Sequence, residues 1–172
     1  NPVTTGGALV AVSVTGANTA TADVTDNLDG TYTATYTPTN VGTDNIAITL
    51  DDGGGPVAIS GSPFTSEVSP GAVDASQSTA VVPDGVAGDV TTIEIQGRDS
   101  NGNPVTVGGA LVAVSVTGAN STSTNAADNG DGTYTASYTP TNAGTDNVAI
   151  TLDDGRGPVA ISGRSDARRV GQ

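Results

Sequence analysis

An all-β fold of two tandem sandwiches is what this sequence predicts, on three observations. Apolar and polar residues alternate with period two in runs rich in Val, Ile, Thr and Tyr, and Gly, Asn, Asp and Pro bound the runs. That is the pattern of half-buried strands, and no stretch has a helical period. Third, NPVTTGGALVAVSVTGAN at Asn1 returns as NPVTVGGALVAVSVTGAN at Asn103.

The repeat runs without a gap from residues 1–61 onto 103–163, an offset of 102, with 48 of 61 positions identical. Such a period is too long for a solenoid unit and suits one immunoglobulin-like sandwich. The break VSPG (Val68 to Gly71) sets the frame. Residues 1–68 are then a partial module lacking its first two strands, 69–73 a short linker, and 72–163 a second module with a shortened last strand. Residues 164–172, RSDARRVGQ, read as an unpatterned basic tail. Opening on Asn1 rather than Met, the chain is expected to be a segment of a longer protein.

The second copy supplies the strands in order. Strand A covers about 75–82. Strand B, TTIEIQGRD, turns Ile93 and Ile95 inward, and the Asn-Gly pair of SNGNP (Ser100 to Pro104) turns the chain after it. Strand C, ALVAVSVTG, sends Val112, Val114 and Val116 to one side and Ala113, Ser115 and Thr117 to the other. Strand D, about 121–127, is mostly Ser, Thr and Ala. Strand E, GTYTASYTP, buries Tyr134, Ala136 and Tyr138. Strand F, DNVAITLDD, buries Val148, Ile150 and Leu152. Strand G opens at PVAISG and continues in the first copy as SPFTSEV, where Phe64 is expected to plug the end of the core. Seven strands with one apolar face each require two sheets back to back. Without A and B the first copy leaves a flank of strand E and half its core uncovered, so it is expected to be the less stable module.

DNGDGTYTASYTPTNAGT at Asp128 and its near-copy DNLDGTYTATYTPTNVGT at Asp26, with ISGSPFTSEV in the first copy, resemble the filamin (ABP280-type) immunoglobulin-like repeat. VPDGVAGDVTTIEIQGRDSNGNPVTVGGALVAVSVTG resembles the front half of that repeat, and is also similar to bacterial immunoglobulin-like modules of invasin-type adhesins. The resemblance implies sheets A-B-E-D and C-F-G. It makes Gly30, Tyr32, Tyr36, Phe64, Gly132, Tyr134 and Tyr138 structural residues. It also implies a partner peptide adding as a strand beside C and facing D, at Ala113, Ser115, Thr117, Ser121 and Ser123, or Ala11, Ser13, Thr15, Thr19 and Thr21 in the first copy. One departure stands out: Asp44 and Asp146 occupy an inward position of strand F where the family has an aromatic, and each must find backbone donors there.

Composition removes most chemistry. With no His, Cys or Lys there is no imidazole base, thiolate, zinc site or Schiff-base amine. Carboxylate-only hydrolysis survives, but its aromatic-lined cleft is hard to build from four Tyr and one Phe. A net charge of −13 should repel nucleic acid and anionic lipid. No apolar run is long enough to span a membrane. The expected role is a non-catalytic structural or adhesive module, a spacer in an extracellular or cell-surface repeat protein whose partners are the neighbouring repeats. The alternatives are a cytoplasmic, cytoskeletal cross-linker binding peptides at the C–D edge, and an accessory module of a secreted hydrolase.

No cofactor is expected, and calcium is the one ion with candidate ligands: Asp26, Asp29, Asp128, Asp131, Asp153 and Asp154. DNGDG lacks the closing bidentate Glu of a calcium loop, with no further carboxylate until Asp146. As a turn it is complete, for Asp and Asn cap local backbone and Gly132 takes a positive φ. Asn120-Ser121-Thr122 is an N-glycosylation sequon, meaningful only in a secreting eukaryote.

Overall fold

The computed structural model describes residues 3–161 and 167–171. The chain forms two compact units, Asn1–Ser69 and Pro70–Gln172. All described elements are strands.

In the first unit these are β1 (Leu9–Gly16), β2 (Ala20–Ala22), β3 (Val24–Asp26), β4 (Tyr32–Ala34), β5 (Gly42–Asp51), β6 (Val57–Ala58) and β7 (Phe64–Val68). One sheet runs β2-β1-β5-β6, with β7 also on β5, and the facing sheet is only the pair β3-β4. The second unit contains β8 (Thr79–Val81), β9 (Gly85–Val86), β10 (Thr91–Gln96), β11 (Leu111–Gly118), β12 (Thr122–Asn125), β13 (Ala127–Asp128), β14 (Thr133–Tyr138), β15 (Gly144–Asp153), β16 (Val159–Ala160) and β17 (Ala167–Gly171). Its sheets run β13-β14-β10-β8 and β12-β11-β15-β17-β9, with β16 also on β15.

The inward residues of the second unit meet as the alternation predicts. Ile93, Ile95, Val112, Val114, Val116, Tyr134, Ala136, Tyr138, Val148, Ile150 and Leu152 form one core cluster. Each belongs to a strand whose alternate residues reach solvent or the sheet rim, so burial of apolar area drives the two sheets together. Strand A is shorter than predicted. Residues 74–78 form a turn in which Ser76 N and Oγ donate to Asp74 Oδ1 (2.8 and 2.6 Å), so only Thr79–Val81 pairs with strand B. Pro83, which has no N–H to give a ladder, then ends β8, and β9 pairs in parallel with β17 in the other sheet.

Three expectations need correcting. The tail is not unpatterned: Ala167–Gly171 is strand G of the second unit, pairing Gly144 with Val170 and Asn147 with Ala167 on β15. This is the register of β7 on β5, where Gly42 pairs with Val68, moved by the same 102 positions. Val170 is 4% exposed. One inward Val and a row of backbone hydrogen bonds suffice for an edge-side strand, so its side chains can change without loss of pairing. Residues 164–166 and 172 of that tail lie outside the described residues. Phe64 does not plug a core either. It is 41% exposed, because the short facing pair β3-β4 covers only part of the face that it shares with its cross-strand partner Ile46. Strand D, finally, does not stay whole in the A-B-E sheet. Its Thr-Ser-Thr-Asn half, β12, pairs with strand C, and only β13 remains on strand E. A polar segment has little apolar surface to bury inside, while the rim of C offers partners for its backbone.

Candidate partner-binding edge and carboxylate turns

The side chains expected to receive a partner strand lie on the outer face of the β12-β11 ladder. Ser115 pairs with Ser123 and Ala113 with Asn125, and with Thr117 they are exposed. Ser121 precedes β12 and is also exposed. A shallow depression of ≈ 460 Å³ lies here, floored in part by Ala149 and Thr151. The first unit repeats the arrangement, with Ser13 opposite Thr21, and Ala11, Thr15 and Thr19 exposed nearby. The open rim of strand C, however, does not exist. β12 and β2 already occupy it, so a strand added to this sheet would have to pair outside them. That outer edge is where the two copies differ most. Seven of their thirteen differences fall at residues 19–25 against 121–127.

The candidate calcium carboxylates are engaged by amides and hydroxyls of their own turns, and Asp128 and Asp26 also by an amide before strand C. Asp128 accepts from Gly109 N (2.7 Å) and Gly130 N (2.8 Å), and Asp26 likewise from Gly7 N and Leu28 N. Asp131 and Asp29 accept from the amide and hydroxyl of Thr133 and Thr31, with 2.6 Å hydroxyl contacts. Those hydroxyl bonds hold both carboxyls below the usual range. Asp153 accepts from Gly155 N and Gly157 N, and Asp154 from Arg156 N with an exposed ion pair to Arg156 at 3.7 Å. Gly132 sits at φ +84°, and a Cβ there would meet Val105 O at 2.1 Å, so the turn requires glycine on two counts. Tyr134 Oη accepts from Ala110 N (3.2 Å), and Tyr32 Oη from Ala8 N (3.0 Å), which fixes the entry to strand C.

Two polar centres carry more than the motifs announce. Asp146, fully buried, accepts from Asn120 N (2.8 Å), Asn120 Nδ2 (3.0 Å) and Tyr138 Oη (3.1 Å). Asn120 Oδ1 accepts in turn from Thr141 N (2.9 Å) and Asn142 N (3.0 Å), and its Nδ2 donates to Asn142 O (2.9 Å). The first unit repeats this with Asp44, Asn18, Tyr36, Thr39 and Asn40. Each inward Asp thus finds one backbone donor, the Asn120 or Asn18 amide, and takes its other hydrogen bonds from the Asn and Tyr side chains. Asn120 is 8% exposed with its amide engaged on both ends, so the sequon is closed in the folded protein. Burial pushes the Tyr138 hydroxyl up, and the Asp146 carboxylate beside it adds to the rise, to about 12. The second centre is Asp99, which accepts from Asn101 N, Asn103 N and Nδ2, and Gly71 N (2.9 Å). Burial raises its carboxyl, but the Asn103 side chain and the Gly71, Asn103 and Asn101 amides outweigh that and hold it at about 2. The sequence marked Asn120 only as the first residue of a sequon and Asp99 only as the end of strand B. A polar residue repeated at the same place in both copies, Asn18 and Asn120, was the available signal.

Among the described residues no group of His, Cys, Asp and Glu converges for a metal, and no helix is long and apolar enough to cross a membrane. What fold and side chains together define is a class, the immunoglobulin-like β-sandwich module in tandem. The Filamin/ABP280 repeat model matches residues 1–65 and 72–162, so the chain belongs to that family. Among solved structures it is similar to the Escherichia coli adhesin FdeC, at 26% identity and a TM-score of 0.53, over 100% of this chain and 55% of that one. It is also similar to invasin, a bacterial integrin-binding protein, at 25% identity and a TM-score of 0.43, over 94% of this chain and 31% of that one. The chain thus spans about half or less of the proteins it matches.

Proposed function

We propose that the chain is a non-catalytic part of an extracellular or cell-surface repeat protein, in which such modules space or present an adhesive tip. One observation carries the reading. The buried and turn-forming polar groups of both copies, Asp44 and Asp146 among them, are engaged by the module's own backbone and side chains, which leaves the sandwich a rigid, acidic bead. The likeness to an adhesin supports the surface location, and the absence of His, Cys and Lys supports the lack of catalysis. The test is protease shaving of intact source cells, followed by detection of peptides from residues 72–161. Release of these peptides without cell lysis is the expected result. Peptides found only after lysis would move the protein inside the cell and end the proposal.

A second reading, in which a partner contacts the β12 edge, is favoured by the divergence of the copies there. Replacing residues 121–127 by the 19–25 sequence would then change partner binding and leave the unfolding midpoint of the second unit nearly unchanged.

A further inference from the structure

We propose that Asn101 is a site of spontaneous deamidation, and that its conversion to isoaspartate releases the linker amide of Gly71 from Asp99. The chain has two Asn-Gly pairs, Asn101-Gly102 and Asn129-Gly130, each in a turn with the glycine at positive φ, +83° and +82°. In such a pair the backbone nitrogen of the glycine attacks the side-chain carbonyl carbon of the asparagine. The N–Cγ bond forms, the Cγ–Nδ2 bond breaks, and ammonia leaves with the proton lost by the nitrogen. Water then opens the cyclic imide to aspartate or isoaspartate. Glycine permits the attack because no side chain crowds its nitrogen. Local sequence therefore offers the reaction at both pairs, and the fold decides between them.

Asn129 is restrained at both reacting groups. Its Nδ2 donates to Thr133 Oγ1 (2.9 Å) and Thr135 Oγ1 (3.0 Å), and the Gly130 nitrogen donates to the Asp128 carboxylate (2.8 Å). A negative charge against that N–H opposes loss of its proton. Asn101 has neither restraint. It is exposed, and its side-chain amide has no hydrogen-bond partner among the described residues. The Gly102 nitrogen donates to a neutral carbonyl, Asp99 O (2.9 Å), and Arg98 Nη1 donates to Gly102 O (2.7 Å). The guanidinium thus sets a positive charge near the nitrogen as it becomes anionic. In the first unit Leu28 replaces the glycine, so Asn27 is an internal control.

The product acts on the linker through Asp99. Asn101 N and Asn103 N both donate to Asp99 Oδ1 (2.9 Å each), while Asp99 Oδ2 accepts from Gly71 N (2.9 Å). Isoaspartate at 101 adds a backbone methylene between the two turn donors. The carboxylate cannot then keep both in register, and its hold on Gly71 weakens.

The experiment ages the full chain at mildly alkaline pH, folded and in urea, and maps deamidation by peptide mass spectrometry. In urea the two Asn-Gly pairs should convert at similar rates. In the fold Asn101 should convert about tenfold faster than Asn129, the factor that two hydrogen bonds of ordinary strength place on a rate. Thr135→Val, which removes one acceptor of the Asn129 amide, should speed conversion at Asn129 and leave Asn101 unaffected. Amide exchange at Gly71 should quicken by about fivefold in the isoaspartate form, the factor of one lost hydrogen bond. Asn101→Ser removes only an exposed, unbonded amide and cannot form the imide, so its Gly71 exchange should stay constant through ageing. Conversion of Asn129 as fast as Asn101 in the folded chain would overturn the proposal. So would a tenfold difference that persists in urea, by assigning the selectivity to local sequence, or Gly71 exchange that stays constant while Asn101 converts.

Discussion

The buried carboxylate of Asp146 is held by Asn120 twice, through the backbone amide at 2.8 Å and the side-chain amide at 3.0 Å. Asn120 thereby joins the end of strand C to the start of strand F, and its carbonyl oxygen secures the loop at Thr141 and Asn142. Asn120→Ala would leave a buried charge short of donors and two loop amides unpaired. The expected loss is about 3 kcal/mol in the second unit, read from urea unfolding followed by hydrogen exchange of its strands. A loss below ~0.5 kcal/mol would show the network to be dispensable.

Tyr138 makes the second unit sensitive to alkali. Its hydroxyl titrates at about 12 in the fold, above the ordinary value of 10.0. A group raised on folding contributes stability that is complete below the unfolded pKa and is lost as pH rises through the folded one. The unit should therefore weaken between pH 10 and 12. Tyr138→Phe should lower stability at pH 8 by about 1 kcal/mol for the lost hydrogen bond and flatten the decline above pH 10.

Asp99 acts at the other end of the scale. Its carboxyl lies at about 2 against 3.8, so the stability it contributes is present above pH 4 and is lost as pH falls toward 2. Asp99→Asn should reduce the difference in melting temperature between pH 5 and pH 2.5. It should also loosen Gly71, whose amide Asp99 accepts.

Leu28 has φ +64°, where the second copy has Gly130 at +82°. An L-residue in the left-handed region costs about 1–2 kcal/mol, which glycine does not incur. Leu28→Gly should stabilise the first unit by about 1 kcal/mol, and Gly130→Leu should destabilise the second by a similar amount. Thermal unfolding of the two single variants checks both signs.

Amide exchange of the unmodified chain should be faster at residues 32–36 than at 134–138. The sequences of these two segments differ only at Thr35 and Ser137, so a difference in protection must come from the missing strand. Equal protection would contradict the single neighbour, β3, that β4 has among the described residues.

Strand identity and facing were legible because they depend on local alternation. Ile93 and Ile95, or Tyr134 and Tyr138, announce an inward face wherever they occur, and Asp128 and Gly132 announce a turn through their own backbone preferences. Where strand D would go was not legible. Thr122 to Asn125 carry no apolar code, so their pairing was decided by which edge had unpaired backbone to offer. The tail misled for the same reason. The strand at Ala167–Gly171 is held by the backbone of Gly144 to Asn147 and by one buried Val170, and neither appears as a pattern in RSDARRVGQ.

By itself, then, the sequence determined the two-fold repeat, the all-β character, the inward residues and the chemistry that is missing. Those properties are local or compositional. Only the tertiary structure decided that Asn120 and Asp146 meet, that β12 closes the rim of strand C, and that Ala167–Gly171 pairs with β15. Each of these depends on groups far apart in the chain competing for the same hydrogen-bonding edge or the same apolar surface, and that competition is resolved only once both sheets are in place.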